Sequence, residues 1–174
     1  TQCTAAIILA AGSGTRMKSK VPKVLHPCCG VPLINHVVRL ALKRKMSPVV
    51  VVVSPDNGHR IREIVTGAFP DASVQFATQQ IPRGTGDAVR AGLEAIPKFK
   101  GQAVILSGDV PLITAATLGR LNKASSNASM GLLTSYFPDM TGYGRILRDK
   151  KSVLKIVEER DCNAEDKKIE EGNA

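Results

Sequence analysis

Residues 9–23 read LAAGSGTRMKSKVPK, with Gly12, Gly14, Arg16 and Lys23 following directly on an apolar run. Paired glycines permit positive φ and close backbone approach, so that successive N–H groups can cradle phosphate oxygens. Arg16 offers a planar fork of donors for phosphate, and Lys23 a mobile point charge. Two familiar phosphate loops are excluded. A dinucleotide fingerprint needs glycine where Met17 stands and an acid about 20 residues on, where Ile34 and Asn35 stand; a Walker loop needs G-K-[ST]. Neither is present.

Two further loops carry unusual residues. In QQIPRGTG, Gly84 and Gly86 flank Thr85 ahead of a helical pattern, and Gln79 ends an apolar run with an amide that can both donate and accept. Such an amide can pair with a pyrimidine edge, and a helix N-terminus favours anions; a plain strand-to-helix turn is the bland alternative. In SGDVPL, Asp109 follows Ser107 and Gly108 at the end of another apolar run. A lone carboxylate there suits Mg²⁺, which takes one or two carboxylates plus substrate phosphates and water. A helix N-cap or an ion pair with Arg16 is the alternative role.

These loops need elements to position them. Apolar runs at 5–9, 49–53, 73–79, 102–109 and 130–137 predict strands, and periodic patterns at 33–42, 57–69, 85–96 and 114–124 predict helices. VVVVV at 49–53 reads as a strand covered on both faces, and QAVILSGD as another buried strand. Strand–helix alternation implies an α/β fold with a largely parallel sheet, and ligands of such sheets sit beyond the strands' carboxyl ends. The three loops all follow strands, so they fall on one edge. After residue 138 the pattern changes: PDMTGYG is turn-rich, RILRD and SVLKIVEE form a hairpin, and 163–171 reads as a polar helix. This part is a subregion of one domain, with no internal repeat.

Composition narrows the function. The chain has 174 residues, 43 % of them hydrophobic, and a formal charge of +9. That surplus suits an anionic partner. Nucleic acid is disfavoured, because only 3 % of residues are aromatic and none is Trp. No stretch is long and apolar enough to span a bilayer, and no signal-peptide pattern opens the chain. Cys3, Cys28, Cys29 and Cys162 show no zinc spacing, and His26, His36 and His59 no ligand spacing. A reduced, cytoplasmic protein is expected.

LAAGSGTRM, PKVLH, GTGDA, GDVPL, TGYGRI and IVEERD, in that order, are similar to the N-terminal uridylyltransferase domain of the bacterial GlmU family of sugar nucleotidyltransferases. The resemblance implies a Rossmann-like three-layer fold with a small sugar-binding β subregion. It also implies transfer of a uridylyl group from UTP to N-acetylglucosamine 1-phosphate, with Mg²⁺, in supply of peptidoglycan and lipopolysaccharide precursors. Position by position, it places the uracil nucleotide on Leu9, Ala10, Ala11, Gly12, Gln79, Gly84 and Thr85, and the phosphates on Arg16 and Lys23. Asp109 would hold the metal, and Gly144, Glu158 and Asn173 the sugar. Gly14, Ser107 and Gly108 complete the candidate set. Residues 1–110 would be the nucleotide-binding part of the domain and 111–174 the sugar-binding part. The family pattern continues past residue 174 into an acetyltransferase β-helix through which full-length relatives trimerise. The chain departs from the pattern at Pro82 and Arg83, where the family has Gln and Leu. Other sugar phosphates or nucleotides, and a non-catalytic nucleotide-binding module, are the competing readings.

Overall fold

The computed structural model describes residues 3–12, 14, 17–150 and 152–173. They divide into two compact units, residues 1–115 and 116–174.

The first unit is built around four parallel strands. They are β1 (Thr4–Leu9), β4 (Val49–Val53), β5 (Val74–Thr78) and β6 (Gln102–Ser107), with two short strands, β2 (Pro27–Cys28) and β3 (Val31–Pro32), forming a separate hairpin. Helices α1 (Leu33–Lys43), α2 (Gly58–Ala68) and α3 (Thr85–Glu94) provide the crossovers that parallel pairing requires. The order β5-β4-β1-β6 puts β1 and β4 in the centre. That is why both are apolar without alternation: every residue of VVVVV is buried. Ile7, Val50 and Val52 point to the face where Ala88 of α3 packs. Val53, of the opposite parity, meets Gly58 of α2. Helix α1 buries Ile34, Val37, Val38 and Ala41, the stripe predicted from its spacing.

Helix α3 sits close to the sheet. A Cβ on Gly92 would come within 2.6 Å of Ile7 Cγ2 and 3.0 Å of Val52 Cγ2. Only glycine permits that approach without displacing the central strands.

Strand β6 corrects one expectation. It is an edge strand with alternating exposure, Val104 and Leu106 buried and Ile105 40 % exposed, rather than a strand covered on both faces. The β2–β3 hairpin was not foreseen. Its two-residue turn holds Cys29 at φ 51° and Gly30 at φ 76°, the positive pair that a tight primed turn demands. His36 Nε2 lies 3.0 Å from Cys28 O, tying the hairpin to α1. That is a structural place for this histidine.

The second unit holds α4 (Ala115–Ala124) and an antiparallel sheet of β7 (Thr134–Tyr136), β8 (Arg145–Asp149), β9 (Ser152–Val157) and β10 (Glu171–Asn173), in the order β7-β10-β8-β9. The predicted hairpin is β8–β9, and the predicted strand at 130–137 shortens to β7. The helix predicted over 163–171 is absent. A single 3₁₀ turn, Asp166–Lys168, precedes β10 instead. Glu171 explains the change: Arg148 Nε and Nη2 donate to its two oxygens at 2.7 and 2.6 Å, and Thr134 Oγ1 donates at 2.6 Å. A fork of this kind on a buried carboxylate outweighs the few tenths of a kcal/mol per residue, roughly, that helix propensity supplies. Among the described residues, no helix is long and apolar enough to cross a membrane.

Candidate active site

The carboxyl ends of the parallel strands open onto a cleft of about 550 Å³. Leu9, Ala10, Ala11, Gly12, Gly14, Lys23, Gln79, Gly84, Thr85, Ser107 and Asp109 line it, all of them candidates from sequence. Met17, Val24, Pro82 and Ala88 complete the lining and were not candidate site residues from sequence. Arg16 lies outside the described residues. Gly108 sits behind the wall: its N–H donates to Leu9 O at 2.9 Å, and a Cβ there would stand 2.8 Å from that same oxygen. Glycine is therefore what lets the loop after β6 run flush against β1.

The loop after β1 is pinned from below. Ala10 N–H donates to Val52 O at 2.8 Å, extending the strand ladder by one residue. Asn57 Nδ2 reaches Ala10 O at 3.4 Å, while its Oδ1 accepts from Ser54 N–H at 3.1 Å. Gly14 takes φ +59°, and a Cβ there would meet Lys23 Cβ at 2.9 Å. The glycine thus gives the lysine stem its seat. Val24 and Leu25, both buried, anchor the 3₁₀ turn Lys23–Leu25 that carries the lysine.

Lys23 Nζ stands 2.6 Å from Asp109 Oδ2. An ion pair with Arg16 was the alternative role for Asp109, and Arg16 lies outside the described residues; among the described residues the partner is Lys23. Both side chains keep contact with solvent, 46 % and 26 % exposed, so the pair can open when a more highly charged ligand arrives.

Gln79 forms the opposite wall. Its backbone N–H donates to Val53 O at 2.8 Å and its side chain is buried. Nε2 donates to Gly84 O at 3.1 Å and to Asp87 Oδ2 at 3.0 Å. Gly84, at φ +106°, turns the chain into α3, so that Thr85 opens the helix at the edge of the cleft. The Gln79 hydrogen bond holds the Asp87 carboxyl below the usual carboxylate range, and Arg90 adds to the effect. Asp87 is a site-shaping residue that sequence reasoning missed. It lies within the quoted GTGDA, but nothing in its spacing ties it to an amide eight residues earlier.

The donor set fits a magnesium-like ion. Asp109 presents one carboxylate to a cleft large enough for phosphates, and no cluster of three or more His, Cys, Asp or Glu is found among the described residues. A hard cation that keeps its waters and shares substrate oxygens needs no more than this.

In the second unit, Gly144, Glu158 and Asn173 gather at one end of the sheet. Arg145 pairs with Val157 and with Gly172, which brings their neighbours together. Gly144 N–H donates to Asn173 Oδ1 at 3.1 Å, and Asn173 N–H donates to Gly144 O at 3.3 Å. The Asn173 side-chain carbonyl is thereby committed, and among the described residues its NH₂ is the part left to donate. Tyr143 stacks on Phe137, with centroids 4.5 Å apart and planes at 12°, which stiffens the loop before Gly144. Glu158 is exposed at the end of β9.

Residues 6–139 match the family model of the MobA-like NTP transferase domain. The chain belongs to that family. It is 46 % identical over 175 residues to the bifunctional protein GlmU of Kineococcus radiotolerans, covering 98 % of this chain and 35 % of the relative. Against GlmU of Burkholderia thailandensis it is 47 % identical over 168 residues, covering 96 % of this chain and 36 % of the relative. The chain thus spans about a third of the length of these curated relatives. Among solved structures, UDP-glucose pyrophosphorylase complexed with UDP-glucose superposes with a TM-score of 0.73 at 16 % identity, covering 98 % of this chain and 74 % of that one. HddC from Yersinia pseudotuberculosis gives 0.69 at 22 % identity, covering 88 % and 68 %. At such identities the likeness shows the fold alone: an α/β architecture with a parallel central sheet.

Proposed function

We propose that the chain is the uridylyltransferase part of a GlmU-type enzyme. It would join UTP and N-acetylglucosamine 1-phosphate to give UDP-N-acetylglucosamine and pyrophosphate. The observation that carries this reading is the meeting of one cation and one carboxylate, Lys23 and Asp109, in a cleft whose far wall is a buried, oriented amide. Identity of 46 % to a GlmU protein supports the choice of nucleotide and sugar.

In this reaction an oxygen of the sugar phosphate attacks the α-phosphorus of UTP, and the bond from that phosphorus to the bridging oxygen breaks as pyrophosphate leaves. The nucleophile is already anionic at neutral pH, so no general base is required. The demand is alignment and charge cancellation as two polyanions approach. Lys23 and Arg16 would neutralise the transferred and leaving phosphates, and the glycine-rich loop would present N–H groups to them. Asp109 would hold the divalent cation, Mg²⁺ in this reading, which supplies further neutralisation of the triphosphate when bound. Gln79, Gly84 and Thr85 would hold the base, with Leu9 to Gly12 along the nucleoside and Ser107 and Gly108 beside Asp109. Gly144, Glu158 and Asn173 would receive the sugar, which makes residues 1–110 the nucleotide part and 111–174 the sugar part. The four cysteines are free, two of them exposed, which suits a reducing compartment such as the cytoplasm.

The test is pyrophosphate release with UTP, N-acetylglucosamine 1-phosphate and Mg²⁺, run beside CTP, GTP and other sugar phosphates. Arg16→Ala is expected to cut turnover by about two orders of magnitude or more while leaving the fold intact. A folded Arg16→Ala chain that turns over normally refutes the assignment.

A further inference from the structure

Asp87 does something that no cleft-lining role accounts for. Gln79 Nε2 carries two hydrogens, and each has a partner that can only accept: the Gly84 carbonyl at 3.1 Å and the Asp87 carboxylate at 3.0 Å. Asp87 itself is held, because Arg90 Nη2 donates to its other oxygen at 2.6 Å. Turning the amide over would set Oε1 against a carbonyl and a carboxylate at once. That would replace two attractive contacts with two repulsive ones in a side chain only 6 % exposed. Gln79 therefore has one orientation, and Oε1 is the polar atom of its amide left unengaged among the described residues. A free amide can read a donor or an acceptor by flipping; this one can only accept.

We propose that Asp87 is a positioning residue that fixes the Gln79 amide with its carbonyl toward the base, so that the cleft takes a pyrimidine whose ring nitrogen bears hydrogen and rejects one whose ring nitrogen is a bare acceptor. Uracil and thymine have the first pattern at the relevant edge, and cytosine has the second. The proposal rests on the nucleotide reading of the cleft given above. It adds a device for selectivity: Arg90 and Asp87 lie on α3 behind the lining, where they orient Gln79 without touching the base.

The experiment measures binding of UTP and CTP to the full chain by calorimetry with Mg²⁺ present, for the wild type, Asp87→Leu, Asp87→Ser and Asp87→Asn. Circular dichroism checks each fold. Leu removes the acceptor, Ser is too short to reach Gln79, and Asn keeps an acceptor oxygen. The wild type is expected to prefer UTP. Asp87→Leu and Asp87→Ser should lose about tenfold or more of the UTP-to-CTP ratio, with part of the change a gain in CTP affinity. Asp87→Asn should stay within about threefold of the wild type, since discrimination depends on which polar partners are left unmatched. A merely structural role would weaken both nucleotides together and leave the ratio alone. A wild type that prefers UTP, with folded Leu and Ser variants that keep the full ratio, overturns the proposal and spares the uridylyltransferase reading. A wild type that binds neither nucleotide overturns that reading and the proposal with it.

Discussion

Replacing Lys23 by Met should move two measurements in opposite directions. Lys23 Nζ lies 2.6 Å from Asp109 Oδ2, with the two side chains 46 % and 26 % exposed. Coulomb attraction at that separation is about 1.6 kcal/mol in bulk water and several times larger in a partly screened cleft. Desolvation and side-chain ordering consume much of it. Exposed pairs retain roughly 0.2–1 kcal/mol and hydrogen bonds to charged groups roughly 1.5–3, so this half-exposed pair falls at about 1–2 kcal/mol. A divalent cation that takes Asp109 in the nucleotide-free chain must first displace the ammonium, and its affinity is lowered by that amount. Methionine keeps the stem that rests on Gly14 and removes the charge. Mn²⁺ binding to nucleotide-free Lys23→Met, followed by electron paramagnetic resonance, should therefore tighten by about 5- to 30-fold. Turnover with UTP should fall by about a hundredfold or more, because the same ammonium is lost from the phosphates. Unchanged or weaker Mn²⁺ binding in the folded variant would refute the idea that Lys23 and the cation compete for Asp109.

Three stability predictions follow from other parts of the chain. The Arg148 fork holds the Glu171 carboxyl down at about 2, against 4.5 ordinarily, so its contribution is complete above pH 4.5 and is lost as pH falls from there toward 2. Discounted because Arg148 is a third exposed, it amounts to about 2 kcal/mol. The wild type should thus lose melting temperature between pH 5 and pH 3 more steeply than Glu171→Gln, and parallel slopes would count against the fork. Gly92→Ala should destabilise the first unit by about 1–2 kcal/mol in urea, overpacking against Ile7 and Val52 outweighing the gain in helix propensity. Gly67→Ala on α2, where nothing beyond the helix's own backbone stands within 4 Å of the new Cβ, should stabilise instead, and a gain at both positions would show that α3 has room to move.

Much of this was legible because the signals are local. A run of five valines can hardly be anything but a strand buried on both faces, and the 3.6-residue stripe of α1 names its inward side. Once strands and helices alternate, parallel pairing follows, and with it the rule that loops at the strands' carboxyl ends form the site. Gln79, Lys23 and Asp109 lie in separate loops, and that rule alone was enough to bring them to one cleft. What stayed hidden depends on partners far away in sequence. A run such as VIL does not say whether a strand is central or at an edge, and β6 proved to be an edge. The residues around 163–171 have fair helix propensity, and only Arg148 and Thr134, 23 and 37 residues from Glu171, draw its end into a strand. Asp87, one acid in the first turn of a helical pattern, shows its role only when Gln79 is seen beside it.

Helix α3 links these observations. Its N-terminal turn carries Gly84, Thr85 and Asp87, which line the cleft or orient Gln79, and one turn or so further on Ala88 and Gly92 set how near the helix lies to β1 and β4. Small residues in the middle of the helix are therefore more than packing. They fix the height of the first turn above the sheet, and so the distance between the Asp87 carboxylate and an amide whose own backbone is bonded to Val53 of β4. Loops alone would leave such an amide free to turn. Here the orientation is set by a rigid element seated on the two most buried strands, so the base reading proposed for that amide would draw on the same contacts that hold the first unit together.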